Sequence, residues 1–181
     1  MGYIKDERPT TMMVGGSWNI GAYKYKANGL LDEYLEGLKE KKLIGSMCMG
    51  CGKVIVPPRL VCGRCHREMT ERVVVSDKGT VTTFVVSPPI EKGKVKAMGM
   101  DAVELGLFTE GEVIMPAYVQ FDGADCNLNL LILDADPKDV CVGMRVEAVW
   151  AENPVGALSD IEGVRPIPME CGGLDENQKK G

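Results

Sequence analysis

The stretch Cys48-Met49-Gly50-Cys51-Gly52-Lys53-Val54-Ile55-Val56-Pro57-Pro58-Arg59-Leu60-Val61-Cys62-Gly63-Arg64-Cys65 decides the fold of this chain. Two residues between cysteines suit a tight turn that aims both sulfurs and the nearby backbone amides at one ion. Two such knuckles separated by a short loop complete a tetrahedral thiolate set, the pattern of a zinc ribbon. Gly50, Gly52 and Gly63 stand where the knuckle turns call for positive φ. The competing reading, two disulfides, is disfavoured by the reducing compartment argued below. Four thiolates leave no open coordination position, so one zinc held by Cys48, Cys51, Cys62 and Cys65 is structural and activates no water.

Working outward, the 181 residues suffice for one domain of ordinary size and a small appendage, and a hydrophobic content of 45% suffices for a core. No apolar run approaches the roughly 20 residues of a membrane span. The opening Met1-Gly2-Tyr3-Ile4-Lys5-Asp6-Glu7-Arg8 lacks the apolar centre of a signal peptide, and Arg8, Pro9 and Thr10 discourage lipidation. A cytoplasmic chain with reduced cysteines is expected, so Cys126, Cys141 and Cys171 read as buried or inert thiols. The net charge of -5 is unevenly spread. Residues 1–72 carry 12 Lys/Arg against 8 Asp/Glu, whereas residues 73–170 carry 7 against 16. The acidic C-terminal part suits a nucleic-acid backbone poorly, and an anion site belongs with the N-terminal half.

Four regions follow: an extension with a docking helix at 1–45, the ribbon at 46–72, a barrel at 73–170 and a disordered tail at 171–181. Tyr23-Lys24-Tyr25-Lys26 alternates aromatic and basic side chains, as an edge strand or extended arm does, packed on its own domain or on another chain. Asn28 caps a helix whose Leu30, Leu31, Tyr34, Leu35 and Leu38 form one apolar stripe, opposite Asp32, Glu33, Glu36, Lys39 and Glu40; Gly45 is placed to end it. The stripe suits the chain's own core and a partner's groove equally. Strands are expected at 73–75, 80–86, 117–121, 128–133 and 145–150, with turns at Asp77-Lys78-Gly79, Asp122-Gly123 and Asp136-Pro137. Short strands with little helix predict a mainly β fold ending in a small closed barrel. Residues 88–112 interrupt it with a Gly- and Lys-rich insert that holds a hairpin or a mobile loop.

The order of helix, four-cysteine ribbon and barrel resembles the acyl-CoA-associated OB-fold family with an N-terminal rubredoxin-like zinc ribbon. The resemblance covers roughly residues 18–168. It is carried by Tyr23-x-Tyr25-x-Ala27-x-Gly29, Lys42-Leu43-Ile44-Gly45-x-x-Cys48, Cys51-Gly52, Pro57-Pro58-Arg59 and Cys62-x-x-Cys65, and in the barrel by Gly79 to Val86 and Val142-Gly143-Met144-Arg145-Val146. Members often carry Pro after the third cysteine, where this chain has Gly63, and the insert at 88–112 is a second departure. The resemblance implies a five-stranded OB-fold barrel after the ribbon. It also implies a small accessory subunit bound to a thiolase-superfamily enzyme, helping it bind coenzyme A or acyl-CoA, with the reactive residues in the partner. Reactions associated with the family include acyl transfer, thiolysis of β-oxoacyl-CoAs, aromatic ones among them, and retro-aldol cleavage of acyl-CoAs.

The residues agree that chemistry lies elsewhere. Cys126 follows Gly-Ala-Asp, a setting that discourages a thiolate, and Cys141 and Cys171 have no base beside them. His66, the only histidine, adjoins a zinc ligand and reads as a solvated ribbon residue. Asp134 and Asp136 sit in a turn, and no glycine-rich phosphate loop occurs. For coenzyme A the candidates are Arg59 and Arg64 on the ribbon, with Lys53 and Arg67 nearby, and Lys92, Lys94 and Lys96 in the insert, because its phosphates call for cations. Alternatives are a nucleic-acid-binding module, weakened by an acidic barrel and by a chain with only 6% aromatics, a retro-aldolase subunit, and a self-sufficient acyl-CoA enzyme.

Overall fold

The computed structural model describes residues 29–97 and 99–167. The Tyr23-Lys24-Tyr25-Lys26 segment, the Asn28 cap, Cys171 and the tail lie outside the described residues. The chain is mainly β. Its order is helix α1 (Gly29–Lys39), strands β1 (Leu43–Met47), β2 (Val54–Ile55), β3 (Glu71–Val75), β4 (Lys78–Phe84), β5 (Lys96–Ala97), β6 (Met100–Asp101), β7 (Pro116–Phe121), β8 (Asn127–Leu131) and β9 (Arg145–Trp150), a 3-10 turn at Leu158–Asp160, and β10 (Ile161–Pro166).

The helix buries Leu30, Tyr34, Leu35 and Leu38, with Leu31 packed beside the core. The stripe is therefore used within the chain: Leu38 is fully buried among β1, β3 and barrel residues, where truncation to Ala costs about 2–5 kcal/mol. Gly45 does not end the helix. Lys41 takes the left-handed conformation, φ 57°, and the Lys42 amide reaches back to the Gly37 carbonyl at 2.8 Å, closing a Schellman-type end. Gly45 instead lies in β1, where a Cβ would stand 2.9 Å from the Ile55 carbonyl oxygen.

β1 is central in a three-stranded antiparallel sheet, β2-β1-β3, with Leu43 opposite Val75 and Met47 opposite Glu71. Residues 73–75 thus pair with the ribbon's stem and are not the first barrel strand. The barrel sheet runs β10-β9-β4-β7-β8, and its two edges are joined by a parallel bridge between Ile132 and Val164, with Leu133 N–H donating to the Val164 carbonyl at 2.8 Å. The two edge strands thus meet at that level and the sheet curls into a barrel. Alternation places Val81, Val119, Phe121, Val146 and Val164 inside, all essentially without exposure. The expected turn at Asp77-Lys78-Gly79 is shorter than the sequence implies. Lys78 and Gly79 belong to β4, and a Cβ on Gly79 would meet the Gln120 carbonyl oxygen at 2.6 Å. β10 pairs with β9 through a bulge between Ile161 and Gly163. No helix of the described residues is long and apolar enough to cross a membrane.

The insert contains a hairpin, β5 with β6, carried on an extension of β4 and β7. Val85 N–H donates to Pro116 O at 3.0 Å, Ser87 N–H to Ile114 O at 3.0 Å, and Ile90 N–H to Glu112 O at 2.8 Å. The Asp101 carboxylate accepts from the amides of Gly93, Val103 and Glu104; the Glu104 amide leads those amides in holding it below its usual pKa, against the cost of burial.

Candidate metal centre and its anchorage

Both knuckles use the same backbone device. In the first, Gly52 N–H donates to Cys48 O at 2.8 Å and Cys48 N–H to Lys53 O at 2.9 Å; in the second, His66 donates to Cys62 O and Cys62 to Arg67 O, both at 2.9 Å. Gly52 and His66 hold the equivalent position, with φ of 71° and 57°. Of the three glycines expected to supply positive φ, Gly52 alone does so; the second knuckle uses His66, and neither Gly50 nor Gly63 has positive φ. His66 is exposed and serves the turn through its backbone.

These turns bring the four sulfurs within 4.8 Å of one another, with Cys48 to Cys65 at 3.3 Å and Cys51 to Cys62 at 3.6 Å. A tetrahedron with zinc–sulfur bonds of about 2.3 Å has edges of about 3.8 Å, so the set is the right size for zinc. Its electrostatics call for a cation. The amides of Cys65 and Arg64 lead in pulling Cys62 down to about 6. Cys51 is pushed up to about 11, because the Lys53 amide that favours its thiolate is outweighed by burial and by Cys62, Cys48 and Cys65. Cys48 is lowered, first by its contact with Cys65, and Cys65 is raised although the Arg67 amide opposes this. Four neighbouring thiolates coexist only around a positive ion. The ribbon's own core adds little: Cys48, Cys62 and Met69 are buried, with Cys51, Ile55 and Cys65 beside them.

The ribbon is fastened to the barrel through Asp125, which sequence reasoning passed over, and through Lys53 and Cys126, which it read as a basic ribbon residue and an inert thiol. The Asp125 carboxylate, at the β7–β8 turn, accepts from Lys53 Nζ at 2.5 Å and from Val54 N–H at 2.9 Å, while Asp125 N–H donates to Val54 O at 2.8 Å. The Lys53 contact and then the Val54 amide hold this carboxyl below its usual pKa. Cys126 Sγ accepts from Val56 N–H at 3.1 Å and faces Val56 O at 3.3 Å. Burial, with Cys126 nearby, pushes the Tyr34 hydroxyl up to about 12. The Val56–Pro57 peptide is cis, and past it Arg59 N–H donates to the buried Ser46 hydroxyl at 2.9 Å. The Asp122-Gly123 turn was the one sequence signal near this joint.

The basic candidates fall into two groups. Arg59 and Arg64 are exposed on the ribbon. Lys92, Lys94 and Lys96 are exposed in the insert, with Lys92 paired to Glu104 at 3.2 Å, which raises its pKa. Cys126 is half-buried and serves the joint, whereas Cys141 is disulfide-bonded and not the thiol expected from sequence. Asp136 accepts from the Lys138 amide as turn residues do.

Residues 35–70 match the family described as ChsH2, rubredoxin-like zinc ribbon domain. A DUF35 domain-containing scaffold protein of Methanocaldococcus jannaschii is 30% identical over 113 residues, covering 60% of this chain and 67% of that protein. One of the same description from Methanothermobacter thermautotrophicus is 30% identical over 110 residues, covering 60% and 71%. Among solved structures, a DUF35-family protein of unknown function from Sulfolobus solfataricus superposes with a TM-score of 0.51 at 20% identity, covering 75% of this chain and 81% of that one. The structure described as Ltp2-ChsH2(DUF35) aldolase gives 0.50 at 19% identity, covering 78% and 98%. These two likenesses concern the fold. With its four-cysteine zinc ribbon matched and two relatives shared over two thirds or more of their length, the chain belongs to the DUF35 family.

Proposed function

We propose that this chain is a non-catalytic, zinc-containing accessory subunit of a thiolase-superfamily enzyme, stabilising its partner and helping it hold coenzyme A or acyl-CoA. The observation that carries the reading is the assignment of the described cysteines. Four form the metal set, Cys126 serves the ribbon–barrel joint and Cys141 is in a disulfide, so none of them is left as a nucleophile. The described histidine, His66, lies beside the ligand Cys65 on the exposed ribbon and has no described cysteine nucleophile to serve as base. The relatives described as scaffold proteins support a subunit role. The barrel is of OB type in this reading, because β8 and β10 meet in parallel while the other pairings are antiparallel. The reaction served is an acyl-CoA C-acyl transfer such as β-oxoacyl-CoA thiolysis. A second reading, a retro-aldolase complex, is favoured by the likeness to the aldolase that contains a ChsH2(DUF35) chain.

Arg59 and Arg64, or Lys92, Lys94 and Lys96, meet the phosphates of coenzyme A at the partner interface. Lys94 and Lys96 are the stronger insert candidates, since Lys92 already has Glu104. Native purification with identification of co-purifying chains tests the reading. A thiolase-superfamily chain in fixed stoichiometry supports it, and thiolysis against retro-aldol assays on that complex separate the two reactions. Recovery of the chain alone with acyl-CoA turnover of its own would overturn it.

A further inference from the structure

β2 is an edge strand of the ribbon sheet, and the barrel covers that edge. The backbone of Val54 is taken up by Asp125 and that of Val56 by Cys126, both in the β7–β8 turn. The turn holds its own shape, because Ala124 N–H donates to Phe121 O and Gln120 Nε2 to Ala124 O, each at 2.9 Å. One peptide group links this covered edge to the metal set. Its oxygen, Lys53 O, accepts from Cys48 N–H at 2.9 Å, and its N–H, that of Val54, donates to the Asp125 carboxylate at 2.9 Å. The Lys53 amide is in turn bonded to the Cys51 sulfur. A peptide is planar, so a partner that fixes its N–H also aims its carbonyl. The second knuckle has no counterpart: Arg67 O accepts from Cys62 N–H in the same way, but the Glu68 amide meets no carboxylate among the described residues.

We propose that Asp125 is a positioning residue for the zinc, holding the first knuckle in its ligating shape from the barrel, so that metal binding and ribbon docking form one coupled equilibrium. The coupling is reciprocal: whatever Asp125 adds to zinc affinity, zinc adds to the closure of the joint. Groups that orient metal ligands from behind carry about 10–100-fold of metal affinity. The acceptor oxygen facing Val54 is the working part, whereas the Lys53 ammonium on the other oxygen is exposed and can turn to water. The inference stands apart from the accessory-subunit reading, since every contact it uses lies within this chain.

The test is the zinc affinity of the full-length chain, read by competition with a chromophoric chelator. Asp125→Ala is expected to lower it about tenfold or more, and Asp125→Asn, which keeps an oxygen for the Val54 amide, to stay within about threefold of the parent. Arg145→Met breaks the ion pair to Asp122 in the same turn without touching the knuckle, and is expected to leave the affinity unchanged. An Asp125→Ala chain that binds zinc as the parent does, an Asn variant as weak as the Ala variant, or an equal loss in Arg145→Met overturns the proposal. The reverse direction is read in the parent chain by amide exchange. The Asp125 amide, which donates to Val54 O at 2.8 Å, is expected to exchange about tenfold faster or more once zinc is chelated, and unchanged exchange there also overturns the proposal. If Asp125→Ala does not fold, exchange in the parent decides.

Discussion

Extraction of zinc should melt the knuckles and leave the barrel standing. The ribbon tip buries one large side chain, Met69, together with Cys48 and Cys62. Burial of a Met side chain contributes about 1.5–3 kcal/mol, whereas a structural zinc bound by thiolates supplies an apparent 10–16 kcal/mol at neutral pH. The metal term is several-fold larger, so the tip does not hold its turns without it. The barrel rests on a different cluster, with Val81, Val119, Phe121, Val146 and Val164 buried away from the metal. The same cluster includes Leu43, Val56 and Val75 at the ribbon's base, so melting should stop at the stem. Amide exchange with and without a strong chelator reads this directly. The amides of Gly52, Cys62 and His66, bonded across the knuckles, should lose protection, while those of β4, β7 and β9 keep theirs. Cys62→Ser should reproduce the chelated pattern with less than one zinc per chain. Persistent protection at Cys62 and His66 after complete removal of zinc would refute the reasoning, as would loss of barrel protection along with the ribbon.

His66→Gly should keep one zinc per chain and raise unfolding stability by about 1 kcal/mol in denaturant titration, because glycine adopts positive φ without strain; loss of metal would make His66 a ligand. Asp160 is 2% exposed and accepts from the amides of Val155, Gly156 and Ala157, which together outweigh burial and hold its pKa below the usual value. Asp160→Asn should cost about 1–3 kcal/mol at neutral pH. Since the folded carboxyl titrates lower than the unfolded one near about 3.9, that stabilisation is present above this value and lost as pH falls through the folded one. The parent–variant gap in urea melts should therefore close below about pH 4, and a gap independent of pH would contradict the assignment. In the partner complex, Lys94→Ala/Lys96→Ala should weaken coenzyme A binding several-fold by calorimetry, and unchanged affinity would remove the insert from the phosphate site.

The metal set was legible because its chemistry fixes its spacing: two residues between thiolates is a demand of the turn as much as of the ion. The strand at 145–150 was legible from alternation and falls where it was expected, Arg145–Trp150. β1 was missed because Gly45 and Ser46 look like a helix end, and only the neighbouring Ile55 carbonyl explains the glycine. β10 was missed because Gly163 and Pro166 obscure its pattern and a bulge breaks its register. Which residues carry left-handed backbone was also hidden, since Lys41 and His66 do so while Gly45, Gly50 and Gly63 do not. The ribbon–barrel joint at Asp125 and Cys126 was illegible for a different reason. It joins residues about seventy positions apart, and no local pattern reports such a pairing.

The neck of the insert separates two kinds of change. Because Val85 pairs with Pro116 and Ser87 with Ile114 before the chain departs into the hairpin, the barrel is already closed below that level. Residues beyond the neck can lengthen, shorten or be exchanged for a tight turn while the β4–β7 register stays as it is. What the chain touches at that end can thus diverge at a different pace from the scaffold that presents it.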